Sequence, residues 1–213
     1  MIATNNTIAF AASNAAESAA FMMTQHGGLI ALNNLIFGEA PFQAFRENQD
    51  TNDTGYLSDP RSLDNNVIVA TASPTFVYAD NEITPAVQSI AAMEELLWCQ
   101  DTPAAGNQLV ISAFSAIFVD VDGLDNDINT LADNDWHLLA TAPLAVRTGG
   151  IGPSGPTGGC GTAIAPTGYA GYMPAPSGCT FPARGGEPCN LIPTDAENVP
   201  RTTPWSVGAY ERD

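Results

Sequence analysis

Over much of this chain apolar residues come in short unbroken runs, neither alternating nor at helical spacing. The runs are Thr7-Ile8-Ala9-Phe10, Leu29–Leu32, Leu35–Phe37, Val67–Ala70 and Leu109–Ile111. Runs this short, bounded by Gly and Asn, are the pattern of strands buried on both faces in a parallel sheet. Asparagine pairs precede three of them, at Asn5-Asn6, Asn33-Asn34 and Asn65-Asn66, with steps of 28 and 32 residues. A looser copy, Asn107-Gln108 ahead of Leu109–Ile111, comes 42 residues after Asn65. Asparagine tolerates the left-handed backbone that bends one strand into the next. Stacked on its own copies, it also passes side-chain hydrogen bonds along a ladder. Such self-similarity marks a solenoid, in which a single repeat cannot bury its own apolar face and must stack.

The first coil runs from Asn5 to about Gly28, and its Ala11–Met23 stretch reads as a short helix or a strand with a turn. The second coil is the clearest, GGLIALNNLIFG over Gly27–Gly38. Glu39–Asp64 is polar and reads as a loop. Its Asp50, Asn52, Asp53 and Gly55 resemble the start of an EF-hand, but the twelfth position is Arg61, which excludes one. The third coil is Asn65–Asp80, with Pro74 at a corner. Pro85–Cys99 then carries Val87, Ile90, Met93, Leu96 and Leu97 at helical spacing, with proline near the start, where a helix accepts it. A helix there would shield a flank or an end of the stack. The fourth coil is Asn107–Gly123, and Gly149–Pro193 is rich in Gly and Pro with few apolar residues.

Composition narrows the class. Only 14% of the residues are charged, yet 23 acids face six arginines and no lysine, so the net charge is −17. That balance excludes a nucleic-acid backbone or an anionic lipid surface as partner. It suits a solvated acidic surface, cation binding or repulsion between particles. No run of about 18 apolar residues is present, so no membrane-inserted helix is expected. The first residues lack a basic region and do not read as a secretory signal. They begin inside a repeat, which implies either a removed leader with earlier coils or a first coil capped by something else.

Cys99, Cys160, Cys179 and Cys189 form no C-x2-C pair and fit no zinc spacing. Three of them lie in the Gly/Pro-rich stretch, which favours disulfides and an oxidising compartment. All three pairings remain open. Asp120, Asp122, Asp125 and Asp127 crowd like charges into VDVDGLDNDIN. Such a cluster is relieved by solvent, by protonation in a catalytic pair, or by a hard cation such as calcium, which takes six to eight oxygens. His26 lies beside a glycine corner and His137 in a motif described next, so both read as structural. Trp136, Tyr169, Tyr172 and Trp205 are candidate sugar platforms, although core packing is the commoner role of such rings.

An ordered set of short motifs runs through the last third: AIFVDVD (Ala116–Asp122), DWHLL (Asp135–Leu139), APL (Ala142–Leu144), VPR (Val199–Arg201) and VGAYER (Val207–Arg212). It resembles the C-terminal signature of secreted bacterial right-handed parallel β-helix proteins, which share the pectate-lyase-like fold. Where that family carries aspartate two residues before the glycine of the tail, this chain has Ser206. Where it carries Asp-Ala-Gly, this chain has Val146-Arg147-Thr148-Gly149. The resemblance implies an all-β, single-domain solenoid over 1–213. Its expected parts are a helical insertion at about 85–99, a Gly/Pro/Cys-rich insertion at about 149–194 and a terminal motif at 195–213. It implies a capping role for Arg201 and Arg212. It does not imply an activity, because the fold hosts lyases, hydrolases, adhesins and fibres.

A polysaccharide lyase needs a base and a cation or cationic side chain, and the arginines here are scattered with no lysine beside them. No catalytic residue or bound cofactor is assigned. The leading expectation is an extracellular structural protein, a short β-helix of four to five coils that self-assembles into a filament or surface layer. The alternatives are a carbohydrate-binding or polysaccharide-degrading β-helix protein and a C-terminal fragment of a larger adhesin.

Overall fold

The computed structural model describes residues 2–10, 19–24, 29–38, 42–48, 62–72, 76–79, 88–94, 106–127, 133–150, 195–201 and 206–210. Within them the chain is predominantly β, built of parallel sheets with few helices. Nine short strands come in three successive triplets: β1 (Ile2–Thr4), β2 (Thr7–Phe10) and β3 (Ala19–Thr24); β4 (Ile30–Leu32), β5 (Leu35–Gly38) and β6 (Gln43–Asn48); β7 (Ser62–Asp64), β8 (Val67–Ala70) and β9 (Phe76–Ala79). Each triplet adds one strand to each of three sheets, ordered β1-β4-β7, β2-β5-β8 and β3-β6-β9, and every pairing is parallel. A further strand, β10 (Gln108–Ile111), extends the second sheet beyond β8.

The asparagine pairs set this register by dividing two jobs between their members. Asn5, Asn33 and Asn65 turn the corner, with φ of 55°, 55° and 53°. Asn6, Asn34 and Asn66 form the ladder. The fourth copy aligns one residue earlier than the sequence spacing suggests. Gln108 pairs with Val67, so Gly106 (φ 70°) takes the corner and Asn107 the ladder position. A left-handed corner costs an L-residue with a Cβ about 1–2 kcal/mol unless it is Asn or Asp. Asn33→Ala is therefore expected to be less stable than Asn33→Gly by about that amount in chemical denaturation, the lost side chain being common to both. Equal midpoints would remove the backbone argument.

Alternate residues of each strand point inward to one core. It holds Ala31 and Leu63 from the first sheet, Ile36, Ile68 and Ala70 from the second, and Phe21, Met23, Phe45 and Tyr78 from the third. Phe21 stacks on Phe45 at 5.6 Å. The second sheet is also covered outside: Leu35, Phe37, Val67 and Val69 pack against Phe114, Ile117, Phe118, Leu138, Val146 and Val207. That second burial explains why β5 and β8 read as continuous apolar runs.

Of the two readings of Ala11–Met23, Ala19–Thr24 takes the strand, with Phe21 and Met23 sharing the inward face. Other readings change. The polar Glu39–Asp64 stretch, read as a loop, contains β6 and β7. Its strands were hidden by polar residues, of which Gln43, Glu47 and Asp64 are buried, and the Tyr78 hydroxyl donates to Glu47 Oε2 at 2.8 Å. Only β10 of the expected fourth coil stacks on the repeats. β11 (Phe118–Asp120) instead pairs antiparallel with β12 (Asp135–Leu138). Of the expected helix over Pro85–Cys99, the described part is α1 (Ile90–Glu94), which contacts β9. Ser89 Oγ accepts from Ala92 N–H at 3.2 Å at its start. Met93 is fully buried and belongs to the interior core, so α1 closes that core at the β7/β9 end.

Candidate functional site

Two places concentrate polar side chains: the asparagine column through the repeats, and the junction where the C-terminal segments meet the second sheet. In the column, Asn34 Oδ1 accepts from Asn6 N–H (3.1 Å) and Nδ2–H (2.8 Å). Asn66 Oδ1 accepts likewise from Asn34 (3.1 and 2.8 Å), and Asn107 Oδ1 from Asn66 (3.1 and 3.0 Å). The second Nδ2 proton of each donates to the preceding repeat: Asn34 to Ala3 O (3.0 Å), Asn66 to Ala31 O (2.9 Å) and Asn107 to Leu63 O. The column is therefore polar, every amide donating toward Asn107. Asn34 and Asn66 are fully buried, Asn107 is 5% exposed, and Asn6 is exposed. The column thus ends at the surface on the first-repeat side.

At the junction, α2 (Leu144–Thr148) and residues 206–210 lie over the second sheet. Val207 N–H donates to Val146 O (3.0 Å), Gly208 N–H to Asn33 O (2.8 Å) and Ala209 N–H to Thr7 Oγ1 (2.8 Å). Arg201, nearly buried, donates from a guanidinium nitrogen to Gly208 O at 2.8 Å. It holds the terminal turn, and Arg212 lies outside the described residues. Ser206 Oγ donates to Tyr210 O at 3.2 Å. Arg147 Nε donates to Ala142 O at 2.7 Å.

His137 joins two of these segments. Its Nδ1 lies 2.6 Å from Asp135 Oδ1 on its own strand, and its Nε2 lies 3.0 Å from Glu197 Oε2. The Tyr210 ring sits 5.4 Å away. A neutral imidazole has one N–H, so both contacts are hydrogen bonds only in the imidazolium. The Asp135 hydrogen bond raises the His137 pKa, burial opposes it, and the Glu197 hydrogen bond and both negative charges add to the rise. Burial of Asp135 acts to raise its own pKa, but the backbone N–H, ring and charge of His137 outweigh it, and the net shift is downward.

The signs give a window. The His137 contribution is complete below its ordinary value of 6.5 and is lost as pH rises through its raised folded value. The Asp135 contribution is present above its ordinary 3.8 and is lost as pH falls through its lowered folded value. Side-chain exposures of 26%, 41% and 54% for His137, Asp135 and Glu197 leave the group screened by solvent, worth about 0.2–1 kcal/mol. Wild type should lose its advantage over His137→Gln as pH rises above this window, read from paired thermal melts. A constant difference from pH 5 to 9 would reject the assignment.

The four aspartates do not line one side of a strand. Asp120 ends β11, and Asp122, Asp125 and Asp127 lie in the turn that follows. Asp120 Oδ1 accepts from Gly123 N–H (3.1 Å), Asp125 Oδ1 from Asp127 N–H (2.9 Å) and Asp122 O from Asp127 N–H (2.9 Å). Asp133, which the sequence reading did not single out, accepts from Leu124 N–H at 2.9 Å and rests on the α-carbon of Gly123. The carboxylates of Asp120, Asp125 and Asp133 serve the turn, and among the described residues no three His, Cys, Asp or Glu side chains converge to hold a metal.

Trp136, partly buried, packs on Phe37 and Phe118, each at 5.5 Å, at the margin of the outer cluster. Tyr169, Tyr172, Trp205, His26 and all four candidate disulfide cysteines, Cys99, Cys160, Cys179 and Cys189, lie outside the described residues. Among the described residues no helix is long and apolar enough to cross a membrane. Comparison with protein-family models, with curated proteins and with solved structures returned no match to this chain.

Proposed function

We propose that this chain is an extracellular structural protein, a right-handed parallel β-helix of the pectate-lyase-like type whose copies self-assemble into a filament or surface layer. The observation that carries the reading is the unequal finish of the stack. Among the described residues, its interior is closed by Met93 at one end, while at the other β1, β2 and β3 are the terminal strands of their sheets. A row of strand edges is a template for another chain. The cyclic order in which three parallel sheets receive their strands supports the β-helix, and the terminal motif at 199–212 supports the family. The side chains of Asp120, Asp125 and Asp133 bond to amides of the acidic turn, and His137 joins Asp135 to Glu197, which favours a structural reading over a carbohydrate-cleaving one.

The test is light scattering and negative-stain electron microscopy of the full chain over a hundredfold concentration range. Particles larger than one chain support the reading. A monomer at every concentration rejects it.

A further inference from the structure

Three successive repeats are each pinned from outside, at or beside the corner, by a segment far along the chain. Asn65 Nδ2–H donates to Gly149 O at 3.1 Å, Gly208 N–H to Asn33 O at 2.8 Å, and Ala209 N–H to Thr7 Oγ1 at 2.8 Å. The two segments nearest the C-terminus are also bound to each other. Ala196 N–H donates to Ala209 O at 2.8 Å, and Arg201 donates to Gly208 O at 2.8 Å and to Ala209 O at 3.3 Å. A displacement of the 195–201 turn is thereby carried to the amides that reach Asn33 and Thr7.

These segments bury little apolar surface. Val207 is 0% exposed, but Val199 is 49% exposed and Ala209 and Tyr210 are half-buried. A segment with few buried apolar contacts opens at lower cost than the core strands beneath it.

His137 holds the turn from outside the stack, between two carboxylates. Asp135 faces its ring from its own strand, Glu197 from the 195–201 turn, and the Tyr210 ring from 206–210 at 5.4 Å. β11 contributes Asp120, the register partner of Asp135, and the turn contributes Asp195. Asp120 Oδ1 is turned to Gly123 N–H, and Asp195 Oδ1 to the N–H groups of Glu197 and Val199.

The two ring contacts are unequal. Nδ1 lies 2.6 Å from Asp135, whose Oδ1 also accepts the His137 backbone N–H at 3.0 Å, whereas Nε2 lies 3.0 Å from the more exposed Glu197. A neutral ring keeps one N–H and keeps it at the tighter contact. Nε2 then presents a lone pair to a carboxylate oxygen, two acceptors face to face. Loss of the proton therefore spares the Asp135 contact and breaks the one to the turn.

We infer that the two C-terminal segments form a strap across three repeats, and that His137 is its proton-operated catch, releasing Glu197 and keeping Asp135. The Asp135 hydrogen bond, against burial and with the help of Glu197, raises the ring's pKa above its ordinary 6.5. The catch is therefore fully engaged below 6.5 and is lost as pH rises through the raised value. Neither the strap nor its catch requires that copies of the chain assemble.

Hydrogen exchange of the full chain tests both parts. Gly208 and Ala209 amides should be less protected, by about tenfold or more, than those of Leu35 and Val67, which donate to Asn6 O and Asn34 O within the stack. Equal protection at all four, meaning that strap and stack open together, overturns the strap. Wild type and His137→Gln, compared at the same pH so that intrinsic rates cancel, read the catch. Below pH 6.5 Gly208 and Ala209 should exchange about 1.5- to 5-fold more slowly in wild type, and above the folded pKa the advantage should vanish. Glu197→Gln, at an exposed position, should flatten that pH dependence, because a carboxamide can accept from the charged ring or donate to the neutral one. Imidazole nitrogen resonances should place the proton of the neutral ring on Nδ1. A pH-independent ratio at Gly208 and Ala209, or a neutral ring protonated on Nε2, overturns the catch.

Discussion

Replacing Asn66 by alanine is expected to cost about 3–6 kcal/mol, a large share of a stability of about 5–15 kcal/mol for a domain. Asn66 is fully buried, and its side chain makes four contacts: it accepts from Asn34 N–H and Nδ2–H and donates to Ala31 O and Asn107 Oδ1. Alanine removes those bonds and strands Asn34 N–H and one Asn34 Nδ2–H in the interior, each orphan costing about 1–3 kcal/mol, while Ala31 O keeps only its place in the β4–β7 ladder. The same change at Asn6 should cost about 1 kcal/mol or less, because Asn6 is exposed and water replaces its partner. Urea unfolding of the two variants tests the ladder. If their midpoints coincide, the column is a by-product of strand pairing and does not specify it. Asn66→Asp should be worse than alanine near neutral pH, since it sets a carboxylate against two acceptors without water.

Gly208→Ala should detach the C-terminal turn from the second sheet. Gly208 has φ of 89°, and a Cβ there would stand 2.6 Å from Thr7 Oγ1 and 2.9 Å from Leu35 Cβ. Neither neighbour can retreat freely. Thr7 Oγ1 accepts from Ala209 N–H, and Leu35 is fully buried between the core and the outer cluster. Backbone strain and overlap together come to about 2–4 kcal/mol. The chain can avoid that cost by letting residues 206–210 lift away. Hydrogen exchange at Gly208 and Ala209, whose N–H groups donate to Asn33 O and Thr7 Oγ1, should then accelerate well before the strands of the repeats open. Unchanged protection at both amides would show that the sheet accommodates the methyl group and that glycine is not required there.

Much of the repeating part was legible from residues alone, because local chemistry dictates it. Short Val/Ile/Leu runs specify strands buried on both faces, and asparagine at the step between them specifies a left-handed corner. Those two facts sufficed for β2, β4, β5, β8 and β10, and for parallel pairing. The docking of the terminal segment was not legible: Val207 and Gly208 bond to Val146 and Asn33, and Arg201 to Gly208, contacts that no local pattern in the segment announces. The candidate site was little more legible. The acidic run reads as crowded like charges, yet Asp120 and Asp125 serve amides of their own turn.

What only the tertiary structure decided depends on residues distant in sequence. β6 and β7 are polar by composition and are strands because β3, β4 and β9 supply their hydrogen-bond partners and a core face for Phe45 and Leu63. The one-residue shift at Gly106-Asn107 comes from pairing with β8, not from spacing. His137 meets Glu197 across 60 residues, a contact that no local pattern announces. The sequence by itself determined where strands and corners form, since propensity and backbone geometry act within a few residues. Which strands stack, and which asparagines bend and which bond, were settled by long-range hydrogen bonding and burial.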